Sequence, residues 1–369
     1  MITSATALDK IRSEVDHALR RFVEQQRPQV SAPELAPLVS AAEDFLAGGK
    51  RLRPAFCYWG WHGAGGGDDP ALFSAAASLE LLQASALVHD DVMDASDLRR
   101  GMPSAHRRFE ELHRKAGWHG SAEQFGEGAA ILLGNLMLIW SGEMWRNSGL
   151  PAASLAAAQK VHDDMRTELM CGQYLDLLEQ AHGEGTFDSA LRVALFKSGK
   201  YSVEQPLRLG LVLAAQGREP WIDRLCEEYG RSVGIAFQLR DDILGVFGDP
   251  DETGKPAGDD LREGKRTMLI ARTLAAASAS QAQVVRATLG DPDLDEAGVD
   301  RLRRIIEETG ALVACEDLIK EYLENALGSL EGAPIRPEPI RIAPHDGRMG
   351  EESKLPLFNA RVRHQLYER

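Results

Sequence analysis

The strongest constraint on this chain is an apolar helical run that ends in acid. The segment Ala84-Ser85-Ala86-Leu87-Val88 leads directly into His89-Asp90-Asp91-Val92-Met93-Asp94. At 3.6 residues per turn, Asp90 and Asp94 lie on one face a turn apart, and Asp91 swings away from them. Like charges so placed repel unless a cation stands between them. A set of oxygen ligands favours a hard cation, and so few protein ligands suit Mg²⁺, which keeps waters and takes substrate phosphates as its remaining ligands. The plain alternative is a solvated acidic helix end, and the motif alone leaves both readings open.

The motif returns downstream. Phe237-Gln238-Leu239-Arg240-Asp241-Asp242-Ile243-Leu244-Gly245 repeats an apolar helix ending in paired aspartates, with Gly245 where the first copy has Asp94. Basic segments accompany both copies: Gly48-Gly49-Lys50-Arg51-Leu52-Arg53-Pro54, Asp97-Leu98-Arg99-Arg100-Gly101, and a Gly/Pro-rich loop carrying Lys255, then Lys265. Carboxylates can hold cations while arginines take phosphate oxygens directly, so acid followed by base suits a metal-bridged polyanion. Internal salt bridges, and for Gly48–Gly49 an ordinary glycine-ended helix, are the competing explanations. The single Glu110-x-x-His113 has no second copy and reads as a solvated helix face.

Periodicity makes the chain helical. Leu8, Ile11, Val15, Leu19 and Phe22 mark a first helix ending before Pro28, and a second runs from Pro33 to Leu46. Further helices run over 131–145, 153–178 and 189–213, the last two carrying Gly172-Gln173-Tyr174-Leu175-Asp176 and Lys197-Ser198-Gly199-Lys200-Tyr201. No segment reads as a strand. The expected class is all-α, a single domain over residues 1–333, with a Pro/Gly-rich tail over 334–369.

With 369 residues and 44% hydrophobic content the chain can bury a large core. A net charge of −14 argues against a nucleic-acid partner. Cys57, Cys171, Cys226 and Cys315 form no Cys-x-x-Cys, so neither a disulfide framework nor a zinc site is expected, and a cytoplasmic location is the simplest. The charged opening residues do not resemble a secretory signal. The apolar stretch 129–140 is too short for a bilayer, so no transmembrane segment is expected.

Taken together and in order, these motifs resemble the trans-prenyl diphosphate synthases of the polyprenyl synthetase family, most of all the actinobacterial geranylgeranyl diphosphate synthases. The resemblance spans roughly residues 5–338 and adds Gly254-Lys255-Pro256 through Gly264-Lys265. It implies a helical barrel around a deep central cavity, usually a homodimer, with the two acidic motifs facing each other. Carried over by position, it implies that Asp90 and Asp94 bind two Mg²⁺ ions and Asp241 a third, bridging to an allylic diphosphate. Asp91 and Asp242 would support these ligands or reach the metals through water. Arg99, Lys197 and Lys255 would hold the allylic diphosphate, with Lys265 in the same closing loop. Lys50, Arg53, Gln83 and Arg100 would hold isopentenyl diphosphate. The Lys197 carbonyl, the Ser198 hydroxyl and the Gln238 amide oxygen would face the developing allylic cation.

The chemistry explains these residue types. Allylic C–O cleavage leaves charge on diphosphate, which metals and basic side chains stabilise, and neutral oxygens stabilise the cation without capturing it. The product chain is expected to run along the helix bearing Asp90, where a turn of about 5.4 Å approximates one isoprene unit. Small residues at Ser85 and Ala86 would let it continue toward Leu82, giving a twenty-carbon product that Ser85→Phe would shorten. A longer-chain synthase, a class I terpene cyclase on the same fold and a non-catalytic subunit of a heteromeric synthase are the alternatives. Gly245 and Asn135 depart from the family pattern, the latter standing where an aspartate is common.

Overall fold

The computed structural model describes residues 4–182, 185–217, 219–249 and 258–335, with side chains from Leu8 onward. The tail beyond residue 335 and the 250–257 loop containing Lys255 lie outside the described residues. The described residues fall into two compact units, one formed by 4–162, 206–223 and 334–335, the other by 163–205 and 224–333.

In the first unit, α1 (Ser4–Gln26), α2 (Ala36–Leu46), α3 (Leu52–Gly63), α5 (Ala105–Ala116) and α6 (Ala122–Arg146) pack around α4 (Pro70–Met93). The start of α4 is set locally. Asp69 accepts from Ala71 N at 2.9 Å, and Pro70 at the first helical position has no N–H to lose. Leu72, Ala75, Leu79, Leu81, Leu82 and Val88 are all buried, so α4 is a core helix enclosed on most sides. By length and composition both α4 and α6 could cross a bilayer, longer spans than the 129–140 stretch suggested; in α4, 72% of the apolar window is buried inside protein.

Backbone approaches in this unit depend on glycine. A Cβ on Gly210, in α9 (Gln205–Ala215), would lie 1.9 Å from Cys57 O of α3, and one on Gly60 would lie 2.3 Å from Leu207 O. The two helices therefore cross backbone to backbone.

The second unit is built on α11 (Arg231–Phe247), which packs against the last described helix, α16 (Ala311–Leu330), and against α13 (Met268–Ala276). Its core runs through Leu239, Ile243, Leu261, Leu269, Leu302, Ile306 and Ile319. Arg240, itself buried, donates to both carboxylate oxygens of Glu316 at 2.6 Å, tying α11 to α16 at a fixed register.

Three expectations need correction. Two strands exist: Leu98–Arg99 (β1) pairs antiparallel with Met102–Pro103 (β2), each too short to show alternation in sequence. The expected single helix over 189–213 is instead α8 (Phe187–Val193), a π-helical stretch over Ala194–Glu204, and α9. Glu110 and His113 are not a solvated face, since each is 5% exposed. Glu110 is held by Arg107 at 2.9 Å and by Arg114, while His113 packs on Trp118 and Phe125.

Candidate active site

In the first unit, α4 ends at Met93, and Asp94 N still bonds to Asp90 O at 2.8 Å, so the two carboxylates keep their one-turn spacing. Asp91 points the other way and is completely buried. It accepts from Arg99 Nε at 2.8 Å and again from Nη2 of the same guanidinium, whose distance to Asp90 Oδ2 is 3.6 Å. Arg99 is therefore anchored from behind by a carboxylate that solvent does not reach.

The β1–β2 hairpin explains how Arg99 and Arg100 are presented. Arg100 and Gly101 form its two-residue turn, with φ of 54° and 74°. Positive φ at both positions is what a tight hairpin with the natural strand twist requires. Across from this turn lies the glycine loop, where a Cβ on Gly49 would come 3.4 Å from Arg100 Nη2. Desolvation holds the Arg100 guanidinium below its ordinary range; Glu80 opposes this, and Arg51, Arg99 and Arg53 reinforce it. Two basic segments far apart in sequence thus form one cationic patch. Lys50 is exposed in it, and Arg53 and Gln83 are half-buried.

Arg51, to which the resemblance gives no role, organises that patch. Its guanidinium is buried and donates to Asp16 Oδ1 at 2.8 Å, to Glu80 Oε2 at 2.8 Å and to Leu46 O at 2.5 Å. Its backbone adopts φ 52°, in the left-handed region. The sequence signal was only a third cation between Lys50 and Arg53. His89 was also passed over: its Nε2 lies 3.1 Å from Ile131 O, in a space kept open by Gly134, whose Cβ would fall 2.3 Å from that atom.

In the second unit, Lys197 and Ser198 sit in the π-helical stretch, both half-buried. Gly172 of α7 (Ala152–His182) lets the stretch approach, since a Cβ there would fall 2.3 Å from Lys197 N. Gly234 of α11 does the same on the other side, 2.6 Å from Gly199 Cα. Lys197 Nζ donates to Asp176 Oδ2 at 2.6 Å, and Lys200 Nζ pairs with Glu168 at 2.5 Å.

The second acidic pair repeats the division seen in the first. Asp241 is exposed, and Asp242 is buried. Burial pushes the Asp242 carboxyl up to about 7, with Asp260 and Asp241 adding to the effect while bonds from Gln238 and Met268 N oppose it. Gln238 Nε2 donates to Asp242 Oδ1 at 2.7 Å. This fixes the amide by its nitrogen and leaves its oxygen for another partner. Lys265 pairs with Asp260 at 3.2 Å and also with Glu263. Among the described residues, no three His, Cys, Asp or Glu side chains converge tightly enough to hold a metal by themselves.

Comparison with known proteins gives the arrangement its context. The polyprenyl synthetase family model matches residues 36–308. A geranylfarnesyl diphosphate synthase of Aeropyrum pernix is 34% identical over 324 residues, covering 87% of this chain and 92% of that protein. A geranylgeranyl diphosphate synthase of Saccharolobus solfataricus is 30% identical over 293 residues, covering 79% and 82% respectively. A crystal structure of geranylgeranyl pyrophosphate synthase from Corynebacterium glutamicum, complexed with isoprenyl diphosphate and magnesium, superposes with a TM-score of 0.88 at 36% identity, covering 98% of this chain and 99% of that one. The all-helical architecture is the isoprenoid synthase fold, and the chain belongs to the polyprenyl synthetase family as a trans-prenyltransferase.

Proposed function

We propose that this prenyltransferase condenses isopentenyl diphosphate with allylic diphosphates in a Mg²⁺-dependent reaction and releases a twenty-carbon product. The observation that carries the reading is the doubled arrangement of an outer and a buried aspartate, with the cationic patch of Arg53, Arg99 and Arg100 near the first pair. The donor set suits the ion: Asp90, Asp94 and Asp241 offer only carboxylate oxygens, too few to complete an octahedron without substrate phosphates. When bound, Mg²⁺ offsets the charge that grows on the departing diphosphate.

The chain's own residues divide the remaining work. Lys50, Arg53, Gln83 and Arg100 hold isopentenyl diphosphate. Arg99 and Lys197, with Lys255 and Lys265 from the loop that follows the second pair, hold the allylic diphosphate. Arg99 and Lys197 are oriented by Asp91 and Asp176, so neither long side chain has to be ordered when substrate arrives. The Lys197 carbonyl, Ser198 and the Gln238 amide oxygen face the allylic cation as neutral dipoles, and the diphosphate released in the first step takes the proton.

The proposed product length rests on α4. Ala86 is half-exposed and shares a face with Asp90 and Gln83, whereas Ser85 and Leu82 are fully enclosed. Ala86 is therefore the small residue past which the chain runs, and the floor is assigned deeper, at the level of Leu82 behind Ser85. Incubation with Mg²⁺, isopentenyl diphosphate and each of dimethylallyl, geranyl and farnesyl diphosphate, followed by product sizing, tests both points. The expected result is a twenty-carbon product from all three primers, shortened by at least one isoprene unit in Ala86→Phe. No elongation from any primer overturns the reading, and a longer product from the wild type, such as the twenty-five carbons of a geranylfarnesyl chain, overturns the assigned length.

Assembly as a homodimer is part of the same proposal. One face of α6 exposes Ile131, Leu132 and Ile139, at 43%, 64% and 63%, with Asn135 exposed between them. Large apolar side chains in a stripe at helical spacing suit a second copy of the same helix. Leu132→Glu with Ile139→Glu is expected to halve the mass measured by light scattering. A wild type that is already monomeric overturns the assignment.

A further inference from the structure

The last turn of α4 carries the first acidic motif, and a helix end leaves its final carbonyls without intrahelical partners, so such a turn frays unless side chains anchor it. Both chain neighbours of Asp90 are anchored. Asp91 is completely buried and holds Arg99 of β1, while His89 reaches across to α6. Residues two apart point about 200° away from each other around a helix, so the two anchors grip opposite sides of the turn. Asp90 lies between them.

The seat of His89 is made by a missing side chain. A Cβ built on Gly134 would lie 2.3 Å from His89 Nε2, 2.6 Å from Cδ2 and 2.7 Å from Cε1, so the imidazole rests against bare backbone of α6. Its Nε2 is 3.1 Å from Ile131 O. A carbonyl only accepts, so Nε2 carries the proton and donates. Inside a helix a carbonyl bonds the N–H four residues on and keeps a second lone pair, which is the one the imidazole takes. Further along the same interface Ser141 Oγ donates to Ser78 O at 2.7 Å, with both residues fully buried. Ser78 and His89 are about 16 Å apart along α4. Two well-separated hydrogen bonds thus fix how far α4 is slid along α6, and the one from His89 acts at the turn that bears Asp90.

We propose that His89 is a positioning residue for the first acidic motif: seated on Gly134 and bonded to Ile131 O, it fixes the last turn of α4 against α6 and so sets the place from which the Asp90 carboxylate meets Mg²⁺. The inference rests on the Mg²⁺-dependent reaction proposed above. His89 transfers no proton and touches no substrate; it acts through the backbone it shares with Asp90. An imidazole that only filled the space between two helices would contribute to folding and leave metal binding alone, and this separates the two cases.

The test titrates Mn²⁺ into the full chain with inorganic diphosphate, read by electron paramagnetic resonance, beside urea unfolding and steady-state kinetics. His89→Ala is expected to weaken one Mn²⁺ by about tenfold or more and to lower kcat by a similar factor, with the KM for isopentenyl diphosphate held within about twofold. Gly134→Ala keeps the imidazole but pushes it off its seat, and the same loss is expected. His89→Gln places an amide N–H where Nε2 stands and is expected to return Mn²⁺ affinity to within about threefold of wild type, whereas His89→Asn falls one bond short of Ile131 O and is not. The two amides differ by one methylene, so the inference remains testable if either alanine variant fails to fold. Wild-type Mn²⁺ affinity in His89→Ala with only a lowered urea midpoint, or a glutamine no better than the asparagine, overturns the inference. A wild type that binds no Mn²⁺ beside diphosphate overturns the Mg²⁺ reading itself, a different outcome in the same titration.

Discussion

Asp90→Ala and Asp241→Ala are each expected to lower kcat for condensation by about 10²–10³-fold, the range for removing one group that stabilises developing charge. Their unfolding curves should stay close to wild type. Asp241 is exposed, and although Arg99 lies 3.6 Å from Asp90, the shorter bonds of that guanidinium go to Asp91. Asp91→Ala is expected to behave in the opposite way. Its carboxylate is 0% exposed and paired with Arg99, so truncation strands a largely buried guanidinium and costs about 3 kcal/mol or more in urea unfolding. Activity falls in that variant too, but through the loss of Arg99's anchor. Steady-state kinetics at saturating Mg²⁺, set beside denaturant midpoints, separate the groups. An Asp90→Ala protein with wild-type kcat would remove Asp90 from the metal set, and an Asp91→Ala protein with an unchanged midpoint would remove the anchoring role.

That contrast marks how far the sequence alone could be read. Helical periodicity put Asp90 and Asp94 on one face and turned Asp91 away, and the structure has that geometry because α4 continues without a break to its end. Periodicity also found the core helices, whose apolar spacing depends only on 3.6 residues per turn. It could not find the β1–β2 hairpin, since a two-residue strand has no period, although positive φ at Arg100 and Gly101 is what places Arg99 and Arg100. Nor could it find the π-helical stretch. Gly172 and Gly234 admit the backbone of that stretch, and such close approach is a fact of packing rather than of local order. Glu110 and His113 were misread for a related reason: partners that bury a charged residue, here Arg107 and Arg114, look in sequence like the other charges of a solvated face. Gly245 reads in sequence as a lost carboxylate, and only the tertiary contact shows that its missing side chain makes room for Asp260.

Arg51→Ala carries the largest expected effect on the fold. The Arg51 guanidinium is 4% exposed and meets Glu80, itself 6% exposed, at 2.8 Å, together with Asp16 and the Leu46 carbonyl. Removing it takes from Glu80 its hydrogen-bonded cation inside the α4 core and leaves only the charge of Arg100 to face it, and breaking a buried pair by deleting one partner costs about 3–5 kcal/mol. Asp16 is about one-third exposed and adds little, because water can replace its partner. The backbone at φ 52° is strained in the wild type as well, so alanine frees the loop to relax rather than adding to that cost. A left-handed non-glycine residue costs on the order of 1 kcal/mol or more, and here it is held in place by the three acceptors of its own side chain. Arg51→Lys keeps the charge but cannot span Asp16, Glu80 and Leu46 O at once, so it should fall between wild type and alanine. The functional consequence is local to one substrate. Lys50 and Arg53 flank Arg51, and Gly49 lies against Arg100, so loosening this loop should raise the KM for isopentenyl diphosphate while the KM for the allylic primer and kcat at saturation change far less. Equal rises in both KM values, or a urea midpoint unchanged in Arg51→Ala, would take from Arg51 its role as the fixed point around which the cations proposed to bind diphosphate are arranged.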